Sequence, residues 1–281
     1  VCGKVAAPVF DDCPIVDKVI TIKKKNYSLH WINIWKEIRF TRWDIICDLR
    51  STPIIWLVSS KKRIVLRSSG DKEHRIVRLS KINPTGKKPM PKIWISEQAH
   101  VEAKRYINNI SGPFLVIGPT ANWAAKVWPT ENFALLIQKL LAYKELLGAK
   151  IILVGGPGEE SVGQDLISQL KGIKPINLIG KPILATAAIF SLSKVFIGND
   201  SGLMHLAAAT GIPTLGLFGP TDDHLYAPSG KNAMFVRTPE SPKELMNIPD
   251  FNHRTSFSLM KTLTVEMVEK RVKDLLQSTS S

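Results

Sequence analysis

The second part of this chain predicts an α/β fold, a doubly wound parallel sheet flanked by helices. Three observations carry that expectation. Short apolar runs recur between about residues 112 and 240, as strands buried on both faces require. Segments with apolar residues at helical spacing alternate with them. Polar turns rich in Gly and Pro separate the two kinds of segment, and strands alternating with helices make a parallel sheet.

The elements follow in chain order. Residues 1–110 are less regular, with strands expected at 16–22, 45–49 and 64–67 and a helix at 31–40. Residues 80–92, with Pro84, Gly86, Pro89 and Pro91, read as a loop. A helix is expected at 102–107, and 108–113 (NNISGP) reads as an interdomain linker. Residues 114–118 (FLVIG) form the next strand. Thr130 can cap a helix through 131–147, where Phe133, Leu136, Ile137, Leu140 and Leu141 share one face. Strands are then expected at 150–154 (KIILV), 176–179, 195–198 (VFIG), 214–218 (TLGLF) and 234–237. Helices between them are expected at 159–170, 184–192 and 202–210. Val265, Val268, Val272 and Leu275 give 265–276 an amphipathic helix, and 277–281 a frayed tail. The expected organisation is therefore 1–110, 111–262 and a final helix within 263–281.

Composition narrows the class. Apolar residues make up 44% and charged residues 22%, as in globular proteins. No apolar run reaches the roughly 18 residues that span a bilayer. Three cysteines without a CxxC pattern argue against a disulfide framework or zinc site and for reduced thiols in a cytosolic protein. The net charge of +14 is uneven: residues 1–110 hold 22 Lys and Arg against 10 Asp and Glu. Lys23-Lys24-Lys25, Lys61-Lys62-Arg63 and Lys87-Lys88 supply much of it. Contact with an anionic partner and a plain solvated basic surface both fit. No nucleic-acid motif accompanies the charge.

Ligands of open α/β sheets bind beyond the carboxyl ends of the strands, so the loops there are the candidate site. After FLVIG, Thr120, Asn122 and Lys126 offer a hydroxyl, an amide and a cation suited to phosphate. After KIILV, Gly155-Gly156-Pro157-Gly158 allows close backbone approach. Glu159 there can accept from ribose hydroxyls or favour its helix N-terminus by charge. After VFIG, Asp200, Ser201 and Gly202 open a helix, whose N-terminus is a ready anion site, with His205 one turn on. After TLGLF comes Gly219-Pro220-Thr221-Asp222-Asp223. Taken singly, each loop also fits a scaffold role, with Asp200 or Ser201 a simple cap and His205 a core residue. Their concurrence on one rim is harder to explain that way.

These loops resemble glycosyltransferase family 9, the ADP-heptose:lipopolysaccharide heptosyltransferases. The stretches that carry the resemblance are NWAAKVWPTENFA (122–134), LVGGPGEE (153–160), INLIGK (176–181) and FIGNDSGLMHLAAATGIPTLGLFGPT (196–221). GKVAAPVFDDCPIVDKVI (3–20) and DIICDLR (44–50) match more loosely. The resemblance implies a GT-B fold: two Rossmann-like domains facing across a cleft, the first short of its opening βα unit, with the C-terminal helix returning to it. It implies inverting sugar transfer from a nucleotide-diphosphate sugar, with no cofactor and no required metal. Thr120, Asn122, Lys126, Asp200, Ser201, Gly202 and His205 would then bind the diphosphate and sugar. Glu159 or Glu160 would face the ribose, and Gly180–Lys181 the base. The family's general base, an Asp in a Gly-Asp turn, is expected before Val1, so no catalytic residue is assigned within the chain.

The implied acceptor is an anionic glycolipid, the lipopolysaccharide inner core, met at the inner face of the inner membrane by a cytoplasmic monomer. Two other functions fit the same loops. One is a GT-B transferase or epimerase for another nucleotide sugar. The other is a nucleotide-sugar binding protein without catalysis.

Overall fold

Among the described residues every strand pairing is parallel. Parallel neighbours need a crossover between them, which the helices supply. The computed structural model describes residues 1–23, 30–66, 73–83, 85–248, 252 and 257–279. Lys24 and Lys25 of the first basic run, Arg67 of an expected strand, Pro84 of the expected loop and Ser280 and Ser281 of the tail lie outside them. The chain divides into two units, Val1–Pro89 and Met90–Ser281.

In the first unit β1 (Cys2–Gly3) pairs with β2 (Thr21–Ile22). Only the end of the strand expected at 16–22 is formed, and the Val16 N–H turns back to the Cys13 carbonyl. Helix α1 (His30–Ile38) leads to β3 (Trp43–Asp48), which pairs with β4 (Ser60–Val65). Ile34 of α1 packs with Ile54 and Ile55 to form this unit's small core. Helix α2 (Arg75–Ser80) was not expected; His74 Nδ1 caps it by accepting from the Ile76 N–H at 3.3 Å.

The second unit begins with α3 (Glu97–Tyr106), capped by Ser96, and β5 (Phe114–Gly118). There follow α4 (Thr130–Leu140), β6 (Lys150–Leu153), α5 (Glu160–Gln169), β7 (Ile176–Asn177), α6 (Ile183–Ser191) and β8 (Val195–Asn199). The chain continues through α7 (Gly202–Thr210), β9 (Thr214–Phe218), α8 (Asp223–Tyr226), β10 (Ala233–Arg237), α9 (Pro242–Met246) and α10 (Val265–Thr279). The sheet order is β10-β9-β8-β5-β6-β7. Alternate residues of β5 face opposite layers. Leu115 and Ile117 join a core with α4, α5 and α10, and Phe114 and Val116 one with α3, α6 and α7.

Three expectations are corrected. The boundary falls after Pro89, not residue 110, because α3 packs on α6 and buries Ala103 and Ile107 in the second core. Residues 108–113 therefore join α3 to β5 inside one unit. Their linker-like look reflects Asn108 and Asn109, whose left-handed φ of 52° and 54° suits asparagine at a helix end. Second, α10 packs on α4, β9 and β10; its stripe of Val265, Val268, Val272 and Leu275 completes the second unit's core. Third, Pro129 holds the cap position of α4, while Thr130 Oγ1 accepts from Gln169 Nε2 at 2.9 Å. That helix also stops at Leu140, and Lys144–Leu146 forms a separate 3-10 turn.

The seam between α4 and α10 makes one stability prediction. Glu269 of α10 accepts from Lys139 Nζ at 2.8 Å and from the Tyr143 hydroxyl at 3.0 Å. The Lys139 hydrogen bond, helped by Tyr143 and opposed by burial, holds the Glu269 carboxyl below the usual glutamate range. A depressed carboxyl stabilises the fold above its unfolded pKa and loses that contribution as pH falls through the folded value. Glu269→Gln is therefore expected to lower the melting temperature at neutral pH, with the gap from the parent closing in acid below the glutamate range. A gap of constant size across the titration would count against it.

Candidate functional site

From β5 the chain winds outward through β6 to β7, then crosses back to β8 on the other side of β5 and winds out through β9 to β10. The winding reverses between β5 and β8, and such a switch point opens a crevice at the carboxyl ends of the strands. A row of glycines keeps these two strand ends close. Gly118 pairs with Gly198, and Gly198 with Gly216. A Cβ on Gly198 would lie 2.7 Å from the Gly118 carbonyl oxygen and 2.8 Å from the Phe196 ring.

The loops after β5 and β8 meet at this point. Lys126 Nζ lies 2.8 Å from Asp200 Oδ2, with the side chains 17% and 7% exposed. Their chain separation of 74 residues shows that the fold, not local sequence, builds the pair. Asn199, fully buried, ties the same loops: its Nδ2 donates to the Pro119 carbonyl at 2.8 Å, and its Oδ1 accepts from the Trp128 N–H at 3.1 Å. The segment before α10 braces the loop from behind. The Leu259 N–H donates to the Ala125 carbonyl at 3.0 Å and the Ser258 hydroxyl to the Val127 carbonyl at 2.5 Å. Lys126 thus stands on a loop held at four backbone positions, a preorganised cation.

Beside it, α7 begins with Ser201 in an extended cap conformation whose hydroxyl does not cap the helix. Gly202 is exposed, with nothing within 4 Å of where a Cβ would stand. The first turn of α7 therefore presents its N–H end to an approaching anion without steric cost. His205, one turn further, is exposed and so is not a core residue.

Other expected residues sit differently. Thr120 is buried, its side chain against Gly155, where a Cβ would meet it at 2.9 Å. Its side chain lies against the loop after β6 and is 3% exposed. Asn122 is exposed on the same loop. One oxygen of Glu159 is taken by the Gly156 N–H at 2.6 Å, so the carboxylate closes its own glycine turn. Glu160 accepts from the Gly158 N–H at 3.2 Å, and backbone hydrogen bonds from Glu160 itself and Gly158 depress its carboxyl. Lys181 is exposed, with its ammonium 5.5 Å from the centre of the Tyr106 ring, whose hydroxyl donates to Glu102. It stands at the β7 edge of the sheet, away from the Lys126–Asp200 pair by strand order.

Sequence reasoning missed three members. Asn199 lay inside the quoted motif without a role; its place at the end of a fully apolar strand was the available signal. Arg237, at the end of β10, pairs with Asp223 and donates to the carbonyls of Gly219 and Glu240, so it fixes the turn after β9. Tyr106 carried no signal, since it reaches Lys181 only through the packing of α3. Among the described residues no group of three or more His, Cys, Asp or Glu side chains is placed to hold a metal ion. No described helix is long and apolar enough to cross a membrane.

A doubly wound sheet with a cation and a helix start without a side-chain cap at its switch point has the architecture of the α/β folds that take ligands beyond their strand ends. Residues 71–254 match glycosyltransferase family 9 (heptosyltransferase), and the chain belongs to that family. Among curated relatives, lipopolysaccharide heptosyltransferase 2 of Escherichia coli (strain K12) is 30% identical over 159 residues, 53% of this chain and 44% of that protein. The chain spans about half the length of the first such relatives. Its fold is that of the family 9 glycosyl transferase from Veillonella parvula DSM 2008, with a TM-score of 0.77, 21% identity and coverage of 98% and 87% of the two chains. The E. coli ADP-heptose lps heptosyltransferase II aligns with a TM-score of 0.73 and 18% identity over 99% and 89%. The chain is thus of the GT-B class.

Proposed function

We propose that this chain provides the donor site and part of the acceptor side of an inverting heptosyltransferase, which moves heptose from ADP-heptose to a lipopolysaccharide inner-core acceptor. The observation that carries the reading is the strand order. The loops after β8, β5, β6 and β7 stand side by side, across about 14 Å at normal strand spacing. That is the length scale of an extended nucleoside diphosphate. Lys126 and the start of α7 at Ser201–Gly202 take the diphosphate, with Asp200, Asn122 and His205 toward the sugar. The second oxygen of Glu159 takes a ribose hydroxyl, and Gly180–Lys181 with Tyr106 flank the base.

As the bond from the sugar to the diphosphate breaks, negative charge grows on the leaving oxygen. The ammonium of Lys126 and the N–H groups of α7 meet it without reorganisation. The acceptor hydroxyl attacks the opposite face of the anomeric carbon, which inverts it. The base that takes its proton is not assigned to a residue here. The reading needs no cofactor beyond the donor. A lipid-borne anionic acceptor suits the basic first 110 residues, with the protein working as a monomer at the cytoplasmic face of the membrane.

Calorimetry with ADP, UDP and GDP tests the donor. ADP is expected to bind tightest. Preference for UDP or GDP would move the function to another sugar transferase or an epimerase, and no binding by any of the three would overturn the donor site.

A further inference from the structure

Residues 258–263, just before α10, join the loop that carries Lys126 to the turn after β9. One side of this segment holds the loop. The Leu259 N–H donates to the Ala125 carbonyl, the Ser258 hydroxyl to the Val127 carbonyl, and the Trp128 indole to the Leu263 carbonyl. The Ser258 hydroxyl also accepts from the Met260 N–H at 3.1 Å, which ties the segment to itself. The other side lies against the turn. A Cβ on Gly219 would overlap the sulfur of Met260, which is fully buried, and would stand 3.6 Å from the Leu259 carbonyl oxygen. Just past β10, Glu240 Oε2 accepts from Thr262 Oγ1 at 2.6 Å.

Arg237 closes this frame. Its guanidinium pairs with Asp223, which is 4% exposed, and its Nη2 donates to the carbonyls of Gly219 at 3.1 Å and Glu240 at 3.0 Å. One planar fork thus fixes three points of the chain, and two of them, Gly219 and Glu240, meet residues 258–263. On the strand before Gly219, the Leu217 carbonyl accepts from the Asp200 N–H at 3.0 Å. Lys126 and Asp200 therefore hang from opposite arms of one frame, and Arg237 stands where the arms join. An ion pair this buried is weak evidence for a stability role, since apolar residues of similar volume often serve as well. A lysine would neutralise Asp223 but is a point charge without a fork. What the guanidinium adds is fixed geometry.

We propose that Arg237 is a positioning residue for the donor site. Through Gly219 and residues 258–263 it sets where the Lys126 ammonium stands relative to Asp200 and the start of α7. The proposal deepens the donor-site reading above and rests on it for the ligand.

The test uses the full chain with Arg237→Lys, which keeps a charge beside Asp223 and so folds. Hydrogen exchange is followed first, without ligand. The Lys126 and Val127 N–H groups bond to the Trp123 and Ala124 carbonyls, and the Trp128 N–H to Asn199. These amides are expected to exchange about tenfold faster in the variant, while those of β6 and α5 keep the parent rate. Thr262→Val, on an exposed residue, produces a smaller rise at the same amides, and Thr262→Ser restores the parent rate. ADP calorimetry follows. Arg237→Lys weakens binding about 5- to 20-fold when Lys126 is present, and less than about twofold in a Lys126→Ala background. Unchanged exchange at residues 126–128 overturns the proposal, as does a rise spread evenly over the second unit. Equal losses of affinity in the two backgrounds overturn it too, since Arg237 would then act by a route other than Lys126. If the parent itself binds no ADP, the donor reading fails, and the exchange result alone decides the role of Arg237.

Discussion

Lys126→Ala is expected to lower ADP affinity about 10- to 100-fold, the equivalent of roughly 1.5–3 kcal/mol for a lost hydrogen bond to a charged group. The substitution has a second effect that must be separated from the first. It leaves the nearly buried Asp200 carboxylate without its ammonium. Breaking a fully buried pair costs about 3–5 kcal/mol, and partial exposure of Lys126 reduces that to about 1–3 kcal/mol here. Adding Asp200→Asn removes the orphaned charge. The double variant is therefore expected to melt near the parent temperature yet bind ADP as weakly as Lys126→Ala. Calorimetry and thermal melts on the same samples read both. Recovery of ADP affinity in the double variant would make Lys126 a structural partner of Asp200 and nothing more.

The centre of the second unit's sheet was legible because its inner strands are buried on both faces, so the apolar runs FLVIG, KIIL, VFIG and TLGLF stand out against polar turns, while the edge strands β7 and β10 are half-buried. Helix α7 was legible from the polar turn before it, and Gly211, with φ of 86°, ends it in the structure. The first unit was harder. Its strand β3 is mostly exposed and β1 and β2 are two residues each, so no run of burial marks them. The boundary was misplaced for a related reason: α3 looks polar in isolation, and its buried residues are the small Ala99 and Ala103.

The candidate site divides in the same way. Residue types at strand ends pointed to Lys126, Asp200 and Gly202, because anion chemistry restricts the choice of side chain. Which of them touch was not legible. The Lys126–Asp200 pair depends on β8 returning beside β5 after two strands have been laid on the other side. Thr120 and Glu159 show the converse. Both have suitable chemistry, yet local packing turns one against Gly155 and one oxygen of the other onto Gly156. A hydroxyl or carboxylate next to a glycine-rich turn serves that turn as readily as a ligand, and spacing does not distinguish the two.

Trp128 is where stability and site meet, and Trp128→Ala is expected to cost about 3–5 kcal/mol. The side chain is fully buried, edge-on to Phe133 at 4.8 Å, and its indole donates to the Leu263 carbonyl at 2.8 Å. For a unit of this size that loss lowers the melting temperature by about 10 °C. Trp128→Phe separates the contributions. It keeps most of the ring volume and the backbone N–H that binds Asn199, but leaves the Leu263 carbonyl without its donor, a loss of about 1–3 kcal/mol. Because Asn199 still fixes the loop from its other side, the Phe variant is expected to bind ADP like the parent while melting earlier. The Ala variant also removes the support behind the Asn199 bond, so it is expected to weaken ADP binding even at temperatures where it stays folded. Equal melting of the two variants would mean that the indole hydrogen bond, rather than the volume it fills, dominates. An Ala variant with parental ADP affinity would mean that the brace behind Lys126 is held by Ser258 and Leu259 alone.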